Sequence, residues 1–182
     1  MTASHELYVS VDVETAGPIP GKYSLLSIGA CDAYNQERVF SCQLKPLNKN
    51  AVVKALKVSN LSLEKLQADG LVPEVAMRSF ADWLASLAGE TRKIVFVGLN
   101  APFDWSFVNY YFHMFLGENP FGFTALDIKA LYMGVTGCEW SATTSNKMSA
   151  RLKPARHGNH DALQDAIFQA ELFRLIRETV VR

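Results

Sequence analysis

The sequence predicts an α/β fold, a mixed sheet flanked by helices, and three observations carry that prediction. Residues 7–13 alternate apolar and polar side chains, and two further strand-like runs follow. A compact Ile-Val-Phe-Val run at residues 94–97 reads as a buried strand between stretches of helical spacing. An amphipathic pattern over residues 161–178 closes the chain. A strand meander followed by alternating helices and strands is the order of an α/β protein.

In chain order, Leu7, Val9, Val11 and Val13 point one way and Tyr8, Ser10 and Asp12 the other, which makes a first strand. A Gly/Pro loop at residues 17–21 ends it. Residues 25–33 and 38–45 are the second and third strands; the short turn near Asn35 makes the three an antiparallel meander. Helical spacing then takes over at residues 51–58 and 62–68. A longer helix at Pro73–Ala88 carries Val75, Phe80, Trp83, Leu84 and Leu87 on its apolar side. The buried strand at residues 93–99 leads into a helix at 102–116 with Pro in its first turn. The aromatic run 107–115 in that helix reads as core, with a share in a subunit interface as the alternative. A short strand at 123–126 makes five, and a helix starts near Asp127. Residues 141–159, rich in Ser, Thr, Asn and basic side chains, read as irregular.

A chain of 182 residues is most simply one domain, residues 1–182. Its formal net charge is zero, which argues against a protein that grips long duplexes through many phosphates, but not against an enzyme for a short single-stranded end. Three cysteines, Cys31, Cys42 and Cys138, lack zinc spacing and read as reduced thiols of a cytoplasmic protein. The chain start shows no signal peptide, and the most apolar region, residues 94–117, is interrupted by Asp104 and is no membrane span.

Three clusters carry chemistry. Asp12 and Glu14 sit two apart on a strand, so both project from one sheet face beside the Gly/Pro loop. Two such carboxylates repel each other and resist burial unless a cation or a raised pKa relieves them, and Mg²⁺ or Mn²⁺ prefers hard oxygen ligands. Asp104 falls in the first turn of the helix after a buried strand, where the helix dipole alone would favour an acid, yet it is flanked by Phe103, Trp105 and Phe107. Asp165 lies three, seven and eleven residues before Phe168, Leu172 and Ile176, on an apolar helical stripe. Asp161 reads as that helix's N-cap, and His160 just precedes it. Each cluster alone is weak; together, in this order, they are not.

With Asp12 and Glu14 in VDVETAGPIP, Asn100, Phe103 and Asp104 in GLNAPFDWSFV, and His160 and Asp165 in HDALQDA, the chain resembles the DEDDh exonucleases of the RNase H-like fold. Polymerase proofreading subunits, RNase T and oligoribonuclease belong to that group. The resemblance covers residues 7–176 and departs at Leu99, where many members carry His; His157 has the wrong spacing to Asp165. It implies an RNase H-like, five-stranded mixed sheet and a 3′→5′ exonuclease releasing nucleoside 5′-monophosphates from single-stranded RNA or DNA. It implies two ions of Mg²⁺ or Mn²⁺ per site, held by Asp12, Glu14, Asp104 and Asp165, with Asp12 bridging them and His160 as general base.

Thr15 and Ala16 could meet the terminal ribose through their backbone, and Leu25 and Phe103 could pack on the last bases, with core as their other reading. Asn100 belongs to the motif. Arg156, with Lys147, Arg151 and Lys153, could guide phosphates into the site. The expected partner is a single-stranded nucleic-acid 3′ end, no membrane is expected, and a homodimer stays open. Two other readings remain: a non-catalytic nucleic-acid-binding module of the same fold, and a phosphoesterase for small nucleotides.

Overall fold

The structure is a computed structural model that describes residues 5–180. Part of the chain start read as free of a signal peptide, residues 1–4, lies outside the described residues.

Strands β1 (Glu6–Thr15), β2 (Leu25–Asp32) and β3 (Asn35–Gln43) come first. Helices α1 (Val53–Ser59), α2 (Leu63–Asp69) and α3 (Pro73–Ala88) follow. Then come β4 (Lys93–Gly98), α4 (Ala101–Leu116), β5 (Ala125–Asp127), α5 (Ile128–Thr136), α6 (Ser145–Leu152) and α7 (Ala162–Val180). The five strands form one sheet in the order β3-β2-β1-β4-β5. The meander β1-β2-β3 is antiparallel, whereas β4 and β5 run parallel to β1. The predicted mixed five-stranded sheet is therefore present.

Both faces of the sheet are covered. Leu7, Val9, Val11 and Val13, the predicted apolar face of β1, pack into one core with Met77, Phe80 and Leu84 of α3 and Phe107, Val108, Tyr111 and Phe112 of α4. The aromatic run of α4 is thus core along most of its length, as expected. On the opposite face, Phe168, Leu172, Phe173 and Ile176 of α7 form a second core with Cys31, Val97, Ile128 and Tyr132. Among the described residues no helix is long and apolar enough to cross a membrane.

Two expectations are corrected. Residues 141–159 are not wholly irregular, since they contain a short 3₁₀ turn (Trp140–Ala142) and α6. The apolar signal was thin because Met148 is the single buried residue of α6. Leu25 is not a base-stacking surface: it is fully buried in the core, and its N–H donates to the Tyr111 hydroxyl at 2.8 Å.

Candidate active site

The site is built where β1 outruns its neighbour. Pairing with β4 ends at Ser10, and beyond it Asp12 and Glu14 project from one face of β1. Asp104, in the first turn of α4, reaches back across this gap and accepts the Val13 N–H at 3.0 Å. The chain turns from β4 into α4 through Asn100, whose left-handed backbone (φ 67°) an asparagine tolerates better than most residues. Asp127, at the end of β5, accepts N–H groups from the starts of both α4 and α5 at 2.7 Å, fixing the helix that carries Asp104.

The last carboxylate arrives on α7. Asp161 accepts the Gln164 N–H at 3.0 Å, the N-cap role expected of it. Asp165, one turn in, is gripped by the loop before it: Oδ1 accepts the Asn159 N–H at 2.7 Å and Oδ2 the His160 N–H at 3.1 Å. That grip gives the four-residue gap between His160 and Asp165 a structural meaning, because the carboxylate anchors the backbone that presents the imidazole. His160 itself sits at φ 62°. Ligand atoms of Glu14, His160 and Asp165 all lie within 4.8 Å of one another.

Gly29 makes this meeting feasible. It pairs with Asp12 across β1 and β2, and a Cβ there would fall 2.1 Å from the Ala162 carbonyl carbon. The start of α7 thus rests directly on the backbone of β2, and only glycine leaves room for it.

The electrostatics match an anion cluster short of counter-charge. Burial raises Asp12 well above the usual carboxylate range, and Asp104, Asp165 and Glu14 push it further; a Gln169 hydrogen bond works against them. Glu14 is pushed up to about 7, by burial first and then by Asp165 and Asp161. Asp104 is pushed up to about 8 by burial, against the pull of the Val13 N–H. Four carboxylates held this way are a fitting donor set for a hard divalent cation.

Two cavities flank the cluster. One of about 620 Å³ is lined by Asp12, Asp165, His160, His157, Leu99 and Gln169, and across from them by Ser145, Asn146 and Ser149 of α6. The other, about 340 Å³, is an apolar cleft between Phe103, Gly17 and Pro18 and the α1 residues Ala55 and Val58, with Glu14, Thr15, Val52 and Lys54 on its walls.

The structure therefore gathers Asp12, Glu14, Asp104, His160 and Asp165 in one place, with Thr15 and Phe103 on the cleft. One other expectation falls away, and two residues lie outside both cavities. Ala16 is fully buried, and its backbone is spoken for: its N–H donates to Ser24 at 2.8 Å and its carbonyl accepts from Val52 at 2.7 Å. Asn100 is exposed and lines neither cavity. Arg156 is exposed, lines neither cavity, and its backbone N–H donates to Glu171.

Sequence reasoning missed Gln169, Gly29, Val52 and Val58 and the serines of α6. For Gln169 a signal existed, since it lies four residues after Asp165 on the same helix face. Nothing in the sequence marked which strand glycine would face a helix start.

An exonuclease family model (RNase_T) matches residues 9–173. An Escherichia coli protein named 3′-5′ DNA exonuclease Cap18 is 56% identical over 176 residues, covering 97% of this chain and 94% of that one. The solved nuclease domain of 3′hExo, a DEDDh family member bound to rAMP, superimposes with a TM-score of 0.78 at 13% identity, over 98% of this chain and 95% of that chain. The zinc-bound form of the E. coli ExoI–ssDNA complex gives a TM-score of 0.72 at 16% identity; the match covers 98% of this chain but 42% of that one. The two structural likenesses speak for the fold, and the family model and the E. coli relative for the lineage: this chain belongs to the exonuclease family.

Proposed function

We propose that this chain is a single exonuclease domain that removes nucleotides from the 3′ end of single-stranded DNA in a metal-dependent hydrolysis. The observation that carries the reading is the convergence of four buried or half-buried carboxylates and one histidine at the end of β1. DNA is favoured over RNA because the relative that shares more than half of this sequence is named a DNA exonuclease.

Asp12, Glu14, Asp104 and Asp165 would hold Mg²⁺ or Mn²⁺, two ions per site, and the bound ions would supply positive charge against the phosphate and the developing oxyanion. His160 takes a proton from the attacking water, the role of a general base. Its place beside Glu14 and Asp165 supports that role. Phe103 and Val58 offer faces on which the terminal base can lie, a contact that tolerates any sequence. The three cysteines are free thiols, which supports a reducing, cytoplasmic place of work.

The test is digestion of 3′- and 5′-labelled single-stranded DNA and RNA with Mg²⁺, Mn²⁺ or EDTA. Stepwise shortening from the 3′ end that EDTA abolishes, faster on DNA, is the expected result. A folded protein that cleaves neither polymer with either metal would overturn the reading.

A further inference from the structure

We propose that Gln169 is a positioning residue that holds the Asp12 carboxylate in the orientation metal binding requires; this rests on the reading of Asp12 as a metal ligand. Gln169 lies on α7, one turn beyond Asp165, and is 3% exposed. Its Oε1 accepts the Leu99 N–H at 2.8 Å, and its Nε2 donates to Asp12 Oδ1 at 2.5 Å. The amide has one way round, because a backbone N–H can only donate and a carboxylate can only accept. Leu99, just past the end of β4, therefore dictates which end of Gln169 faces Asp12.

The choice of residue fits the task. Asp12 is pushed by three neighbouring carboxylates, and nothing in that repulsion favours the inward rotamer. Gln169 secures the carboxylate with a donor that carries no charge. A lysine or arginine here would neutralise Asp12 and compete with a cation for it. The amide occupies one lone pair of a group that offers about four, so most of the carboxylate remains available. Outer partners of this kind typically change metal affinity or activity by about 10–100-fold when removed.

The test is Mn²⁺ binding by titration calorimetry, together with the Mn²⁺ dependence of the rate, on the parent, Gln169→Leu, Gln169→Glu and Asp12→Ala. Gln169→Leu removes both hydrogen bonds; its Mn²⁺ dissociation constant should rise by about 10–100-fold, with excess Mn²⁺ recovering much of the rate. Gln169→Glu keeps an acceptor for the Leu99 N–H and loses the donor, so it serves if the leucine variant does not fold. Its Mn²⁺ dissociation constant should move by at least about tenfold. Parent-like Mn²⁺ affinity in a folded Gln169 variant, whatever its melting temperature, overturns the proposal and leaves Gln169 a structural tie. If Asp12→Ala also binds Mn²⁺ like the parent, the assignment of Asp12 as a ligand fails instead.

Discussion

At the scale of single residues, Asp12 is the most crowded carboxylate of the cluster, pressed by Asp104, Asp165 and Glu14 together. Replacing it with alanine relieves repulsion and takes away a proposed metal ligand, so Asp12→Ala should keep the fold and lose hydrolysis altogether. Near-full activity in that variant, measured on a labelled oligonucleotide, would remove Asp12 from the site. His160→Ala should lower the rate by about 10²–10⁴-fold, the usual worth of a general base, while Mn²⁺ binding persists. An unchanged rate would assign the base elsewhere. These five residues were legible because their chemistry is written in residue type and short spacing: Asp-x-Glu on a strand, Asp104 after a buried strand, and His160 five residues ahead of Asp165. The flanking positions were less legible. Ala16 read as a ribose contact because it follows the acidic pair, but β1 bulges at Thr15 and carries Ala16 into the core.

Among the elements, α7 and β2 bear the tightest constraint. The start of α7 touches the bare backbone of β2 at Gly29, and any side chain there displaces the helix that delivers Asp165, Gln169 and the His160 loop. Gly29→Ala should therefore cost about 3 kcal/mol, the upper end of overpacking penalties, and depress activity more than stability alone explains. Thermal unfolding beside a rate measurement checks this; wild-type activity in the alanine variant would mean that the contact is easily relaxed. The strands and long helices were readable because each carries its own hydrophobic period: alternation in β1, a continuous apolar run in β4, a stripe in α7. Helix α6 was not, since a short helix with one buried methionine leaves almost no periodic trace. Gly29 was unreadable for a different reason: the close approach is a property of two elements more than 130 residues apart, and neither segment announces it.

Over the whole molecule, the cluster links stability to pH in a direction opposite to that of most carboxylates. Glu14 and Asp104 sit at about 7 and about 8 in the fold, above their ordinary values, so the folded protein holds protons that the unfolded chain has released. Their contribution is complete in acid below the ordinary carboxylate range and is lost as pH rises through about 7 to 8. The metal-free protein should melt at a lower temperature at about pH 8.5, above both raised values, than at about pH 5, below both. Adding Mg²⁺ should restore the loss at the higher pH, where the ligands are deprotonated and metal binds best. A metal-free melting temperature that climbs steadily with pH, with no response to Mg²⁺, would contradict this linkage.

The hydrogen bond from Gln169 to Asp12 closes a span of 157 residues. β1 supplies Asp12 and Glu14, α4 supplies Asp104, and α7 with the loop before it supplies Asp165 and His160, so the site exists only when all three elements are docked. Until β1 and α7 meet, Asp12 and Glu14 stand apart from Asp165 and the His160 loop, and the cluster has no shared centre. Long-range closure of this kind is slow to form. For a nuclease that dependence is a safeguard: loosening either element takes the site apart.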